Sequence, residues 1–329
     1  MVVLGIDVSK LKLDAALWLP EGRKWYALRA DNNVAGVQKL LHWAQAKSGA
    51  PINACRIVLE ATGIYHELAA EAAFEAGAEV VLANPKRVRD FASGHGILNK
   101  TDAVDARALA RYGAEAEVIP WQPPPLEIRV LRALVARLAA VEEDLQRENN
   151  RREKARATAT PALVLESLER TIQALQDERK RLQQAIDDHY DQHPGLKQQR
   201  DLLQTIPAVG DKSANQLLCL LRSKHFDSAR QAAACSGLIP VHHRSGTSVH
   251  QPPRLSKQGD PRLRKVLYMA SVSALRHNPQ LRRIYDHFVQ SGKAKMAALG
   301  VLMRKLVHIP YGIIKTGQPY NPALVSHRA

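Results

Sequence analysis

The sequence predicts a mixed α/β region at the N-terminus, a long helical hairpin after it, and a basic, mainly helical region at the C-terminus. Three observations carry this expectation. Short apolar runs suited to buried strands recur as far as Leu82, three in succession and then alternating with helical periodicity. Beyond Pro125, apolar residues follow heptad-like steps of three and four. From Arg200 onward there are 20 Lys and Arg against five Asp and no Glu, which leaves 27 charges of each sign before it. The whole net charge of +15 therefore lies in the last part of the chain. A length of 329 residues suits about two domains with an added helical element.

Val2 to Asp7 (VVLGID) is an apolar run ending in an acid. Leu11 to Leu19 alternates loosely, and Lys24 to Ala30 follows the Glu21-Gly22 turn as a third strand. Val34 to Lys47 has helical spacing through Val37, Leu40, Leu41 and Ala44. Arg56 to Glu60 (RIVLE) is a further strand ending in an acid. A helix from about Tyr65 to Ala76 and a strand from Glu79 to Leu82 complete the pattern, which closes at Asn84-Pro85. Lys86 to Asn99, with Lys86, Arg87, Arg89 and the Gly94-His95-Gly96 break, reads as a mobile basic loop. It serves either nucleic-acid contact or simple surface connection.

Asn99 to Arg107 (NKTDAVDAR) then opens a helix-forming stretch. Asp102 and Asp105 stand three apart and project from one helix face. Two like charges on one face repel, and the alternatives are a solvated face countered by Arg107 or a divalent cation completed by further oxygen ligands. Strand ends supply such ligands at Asp7 and Glu60. With Asp102 and Asp105 these give four carboxylates able to converge, the arrangement of a ribonuclease-H-like fold in which acids hold two Mg²⁺ ions. Asp14, Asp31 and Asp90 are also available, so order alone leaves the choice open.

Pro120 to Pro125 (PWQPPP) reads as a stiff linker and domain boundary. Leu131, Leu134, Leu138, Val141 and Leu145, and past Pro161 Leu165, Leu168, Ile172, Leu175, Leu182 and Ile186, predict two long helices as an antiparallel coiled-coil hairpin or a subunit contact. The tip, Arg147 to Arg156, is basic. The expected division is 1–120, a linker at 121–126, a hairpin at 127–192 and a C-terminal domain at 200–329.

In that last domain Leu203 to Gly210 (LQTIPAVG) lies between apolar helices as a helix-hairpin-helix-like turn suited to receiving a phosphate. Ala232 to Pro240 (AAACSGLIP) leads into a polar loop with His242, His243, Arg244, Ser245 and Gly246. A Ser-Gly pair is ordinarily a turn, and no carboxylate–histidine pair nearby supports a hydrolase triad. His242, His243 and His250 match no standard zinc spacing. Nucleic-acid contacts are expected from Lys100, Arg107, Lys212, Arg244, Arg254, Lys257, Arg262 and Arg264. Three cysteines without metal-like spacing read as thiols of a reducing cytosol. With no signal peptide and no stretch taken as long enough to span a membrane, the expected location is cytoplasmic, at the nucleoid when active.

Taken in order, Gly5-Asp7 (GID), Leu59-Gly63 (LEATG), Asn84-Pro85, Asn99-Arg107, Ile206-Gly210 (IPAVG), Ser236-Pro240 (SGLIP), Arg244-Val249, Leu255-Gly259 (LSKQG), Met303-Leu306 and Pro310-Gly312 resemble the DEDD transposases of the insertion sequence 110 family, relatives of the pilin-gene invertases. The resemblance spans nearly the whole chain. It implies a RuvC-like domain, a coiled-coil hairpin and a C-terminal transposase domain. It places the metal-binding acids at Asp7, Glu60, Asp102 and Asp105 and the catalytic serine at Ser245. It further implies Mg²⁺ (or Mn²⁺), donor and target double-stranded DNA, a structured bridge RNA that pairs with both, and a dimer assembling to a tetramer. Acids and serine in separate domains leave open an active site shared between protomers. The rival readings are a Holliday-junction endonuclease with metal-activated water and a non-enzymatic nucleic-acid-binding protein.

Overall fold

In the computed structural model the chain forms two units, Met1–Pro123 and Pro124–Ala329. Residues 1–19, 24–61, 63–97, 99, 101–245 and 249–325 are described, with backbone alone at 242–245 and 249–252.

The first unit is built on one five-stranded sheet. Its strands are β1 (Val2–Val8), β2 (Lys12–Leu19), β3 (Lys24–Asp31), β4 (Cys55–Glu60) and β5 (Glu79–Ala83). Their order is β3-β2-β1-β4-β5, with β1–β2 and β2–β3 antiparallel and β1–β4 and β4–β5 parallel. Successive side chains leave a strand on opposite faces, and the burial follows that rule. Leu4, Ile6, Leu13, Leu17, Ile57 and Leu59 pack with the helices α1 (Val34–Ser48) and α2 (Glu67–Glu75). Val3, Val58 and Val81 face the other way, with α3 (Pro85–Gly94) and α4 (Asp102–Glu115).

The approach of α4 to the sheet is set by small residues. A Cβ added at Gly5 would meet the backbone of Ala106 and Ala110, and one added at Gly113 would meet the Val58 side chain. Helix and strand therefore touch almost backbone to backbone. Ala106 and Ala110 are buried at that contact.

The segment read as a mobile loop is largely helical. Asn84 caps α3, its side chain accepting from the backbone N–H groups of Lys86 and Arg87, and Pro85 sits in the first turn. An Asn-Pro pair is a helix start as well as a strand end, and here the cap prevails. The expected linker is half anchored: the Trp121 N–H donates to the Val80 carbonyl at 2.7 Å and its ring meets Phe74 edge-on.

The second unit is mostly helical. Its helices α5 (Leu126–Arg156) and α6 (Ala162–Gln192) run antiparallel, with the His189 ring against the Glu127 carbonyl at the base and Arg156 paired with Glu169 towards the tip. Ile128, Leu131, Ile186 and Tyr190 root this pair in the core formed by the remaining helices. These are α7 (Pro194–Gln204), α8 (Asp211–Ser223), α9 (Ala229–Cys235), α10 (Pro261–His277), α11 (Pro279–Gln290) and α12 (Lys295–Thr316). The stretch read as a polar loop is instead a hairpin of β6 (Pro240–Ser245) and β7 (Val249–Leu255), in which Ser245 pairs with Val249. Contrary to the expectation that no stretch is long enough to span a membrane, helix α12 reaches that length and apolarity, with 50% of its apolar window buried and Leu302, Leu306 and Val307 packed into the core.

The α4 contact gives a direct test. Gly5→Ala is expected to cost about 1–3 kcal/mol of stability by overpacking. Gly94→Ala, at a helical position where an added Cβ meets nothing, is expected to leave the thermal midpoint unchanged or raise it slightly. Equal midpoints for the two variants would contradict the close approach.

Candidate metal and nucleic-acid site

The acidic centre follows from strand alternation and one helix cap. Val3, Gly5 and Asp7 share the α4-facing side of β1, as Val58 and Glu60 do on β4. Since Ile6 pairs with Leu59 across the parallel strands, Asp7 and Glu60 leave the sheet at neighbouring strand ends. Above them α4 begins. The Thr101 hydroxyl accepts from the Val104 N–H at 3.3 Å, which starts the helix at Asp102 and sets Asp102 and Asp105 in its first turn. There the helix dipole favours negative charge and offsets part of their repulsion.

The acids sense one another. Burial, followed by the charges of Asp105, Asp102, Glu60 and Asp14, pushes the Asp7 carboxyl up to about 6. From the sequence Asp14 stood only among the further available acids, and Arg29 had no part. Asp14 lies directly opposite Asp7 on β2, and Arg29 lies opposite Asp14 on β3. The Arg29 Nε and Nη2 donate to Asp14 Oδ2 at 3.1 and 3.0 Å, and Nη2 also reaches Asp102 Oδ2 at 3.4 Å. A basic residue facing an acid across antiparallel strands was the available signal, but it requires the register.

An all-oxygen set carrying more negative charge than its surroundings relieve suits a hard divalent cation. As the side chains stand, no three Asp, Glu, His or Cys among the described residues are close enough to hold one ion. Asp102 is turned to Arg29, whose Nη2 lies 3.4 Å from its Oδ2.

The expected nucleic-acid residues divide. Arg107 is exposed on α4, 5.9 Å from the centre of the Trp25 ring. Arg254, Lys257 and Arg262 are exposed in the second unit. Lys212 is instead paired with Glu142. Arg264 donates to the Gly259 carbonyl at 2.9 Å and clamps a turn. Lys100 and the side chains of Arg244 and Ser245 lie outside the described residues. The sequence reading gave no role to a crowding of cations on α12. Burial, then Arg304, Lys305 and Arg230, push His308 down to about 4.

The raised Asp7 carboxyl makes a signed prediction. An acid whose carboxyl is raised on folding costs nothing below about pH 4 and its full penalty above about pH 6. Because the group is partly solvated, that penalty is about 1–2 kcal/mol. In EDTA, Asp7→Asn should match the wild-type thermal midpoint near pH 4 and exceed it by about 2–6 °C at pH 7.5. A difference that does not change with pH would contradict the crowded acid set.

Two family models match the chain: a DEDD transposase model of the IS110 type over residues 4–161, and the transposase IS116/IS110/IS902 family over residues 200–286. The pilin gene-inverting protein of Moraxella bovis is 31% identical over 324 residues, covering 97% of each chain. That of Moraxella lacunata matches equally. An insertion element IS110 protein of Streptomyces coelicolor is 26% identical over half of this chain and 40% of its own. The RuvC structure of Thermus thermophilus aligns to 37% of this chain with a TM-score of 0.29 and 19% identity. The chain belongs to the IS110 family of DEDD transposases and recombinases, enzymes that cleave and rejoin DNA.

Proposed function

We propose that this protein is an RNA-guided recombinase of an insertion element, which cuts and rejoins donor and target DNA through Ser245 and a divalent cation held by Asp7, Glu60, Asp102 and Asp105. The observation that carries the metal assignment is the gathering of these acids around Asp7, whose carboxyl is pushed up by burial and then by their charges. A bound Mg²⁺ would supply Lewis-acid polarisation of the scissile phosphate.

The chain's own groups do the rest. The Ser245 hydroxyl attacks the phosphorus, a serine O–P bond forms, and the P–O bond to the leaving deoxyribose oxygen breaks. The serine proton ends, through solvent, on the sugar hydroxyl released. The phosphodiester energy is conserved in the protein–DNA link, so the reverse attack rejoins strands without ATP. Asp102 and Asp105 are held by the capped first turn of α4, and Asp7 and Glu60 by the sheet, so the acid set is presented by regular elements rather than loops.

The second unit supplies counter-charge to phosphates. Its 20 Lys and Arg from Arg200 onward face five Asp. Arg254, Lys257 and Arg262 are exposed. Sequence choice by a pairing bridge RNA fits such phosphate-directed charge. Two antiparallel helices of 31 residues each support the reading of the hairpin as a coiled coil, and assembly of protomers into dimers and a tetramer belongs to the same proposal. Action on the chromosome places the enzyme in the cytoplasm, at the nucleoid.

The test is covalent trapping. Protein, Mg²⁺, the element's flanking noncoding RNA, and donor and target DNA are mixed and run on a denaturing gel. The expected result is a protein–DNA adduct in wild type that falls to background in both Ser245→Ala and Asp102→Ala. Cleavage without adduct that persists in Ser245→Ala would make the protein a metal nuclease using water. Binding without cleavage in any form would make it a binding protein.

A further inference from the structure

Asp7, Asp14 and Arg29 stand in one row across three strands, since Asp7 pairs with Asp14 and Asp14 with Arg29. Cross-strand partners point to the same side of a sheet, so the row lies on the face that α4 covers. The guanidinium is shared unequally. Two donors lie within 3.1 Å of Asp14, and one of them reaches Asp102 at 3.4 Å. Arg29 and Asp102 are 59% and 64% exposed, whereas Asp14 is 19% exposed. The Asp14 end is thus the anchored one and the Asp102 end the open, longer one.

We propose that Arg29 is a built-in counter-ion of the acid set, held on Asp14 and lent to Asp102 until a divalent cation takes that carboxylate. The inference rests on the metal reading above. Its physical logic is exchange. Without a cation, the guanidinium offsets part of the negative charge of Asp14 and Asp102. When a cation binds Asp102, the longer bond breaks and Arg29 stays with Asp14, where its two shorter bonds already lie. Asp14 is then a parking place that keeps a positive group from being stranded beside a divalent ion. Arg29 is a positioning residue and competes for a metal ligand.

This arrangement predicts opposite signs for neighbouring substitutions. Removing Arg29 removes both a competitor and a repelling charge, so Arg29→Ala should tighten Mn²⁺ binding about three- to tenfold. Asp14→Asn frees Arg29 to settle on Asp102, so it should weaken binding by a similar factor. In the Arg29→Ala background, Asp14→Asn should weaken binding clearly less than it does in the wild-type background, because only the direct effect of its charge on the acid set then remains.

The measurement is Mn²⁺ titration of the full-length protein without nucleic acid, followed by electron paramagnetic resonance of free Mn²⁺. Asp102→Ala serves as the reference for the site, and thermal midpoints in EDTA confirm folding. An unchanged affinity in Arg29→Ala while Asp102→Ala weakens binding would overturn the counter-ion role and leave the metal reading standing. Mn²⁺ binding indifferent to Asp102→Ala would overturn the metal reading itself, and this inference with it.

Discussion

The acidic centre depends on how closely one helix approaches one strand. Gly5 has no side chain, so the backbone of α4 at Ala106 and Ala110 rests on β1 itself. That contact fixes the height of α4 over the sheet. It carries the first turn of the helix, with Asp102 and Asp105, to the side of the sheet on which Asp7 and Glu60 emerge. A larger residue in place of Gly5 would lift the helix and its acids together. The Thr101 cap then fixes where along the sheet the turn begins. A packing contact and a cap thus hold the four carboxylates in one neighbourhood despite their repulsion, a cost the rest of the unit's core offsets.

Much of this was legible in the sequence because it is written in local patterns. The strands ending in Asp7 and Glu60 show as apolar runs closed by an acid. The i, i+3 spacing of Asp102 and Asp105 survives as the first turn of α4. What escaped is non-local or ambiguous. Arg29 and Asp14 meet through the register of β2 and β3, which no single run of residues displays. Asn84-Pro85 ends a strand and also caps a helix, so α3 was read as a loop. The polar residues around Ser245 hid strands β6 and β7, because His, Arg and Ser carry little strand signal without the pairing that holds them. In α12, the charges Arg304 and Lys305 broke up an apolar run that the structure keeps whole.

The two units differ in how they handle charge. In the first, acid repulsion is concentrated at one point and partly offset by Arg29. In the second, cations outnumber acids, and some are already committed: Lys212 to Glu142, Arg264 to a backbone turn. Burial, and then the charges of Arg304, Lys305 and Arg230, push His308 down to about 4 and favour its neutral form. One unit is thereby suited to concentrating cations and the other to meeting phosphates, a division consistent with cutting and rejoining DNA.

The most direct test of the acidic centre is anomalous diffraction at the manganese edge from crystals of the full chain grown with Mn²⁺. The account predicts an anomalous peak on the α4-facing side of the sheet, about 2–2.6 Å from carboxylate oxygens of Asp7, Glu60 and at least one of Asp102 and Asp105. Manganese bound elsewhere, with these four acids left uncoordinated at millimolar metal, would contradict it.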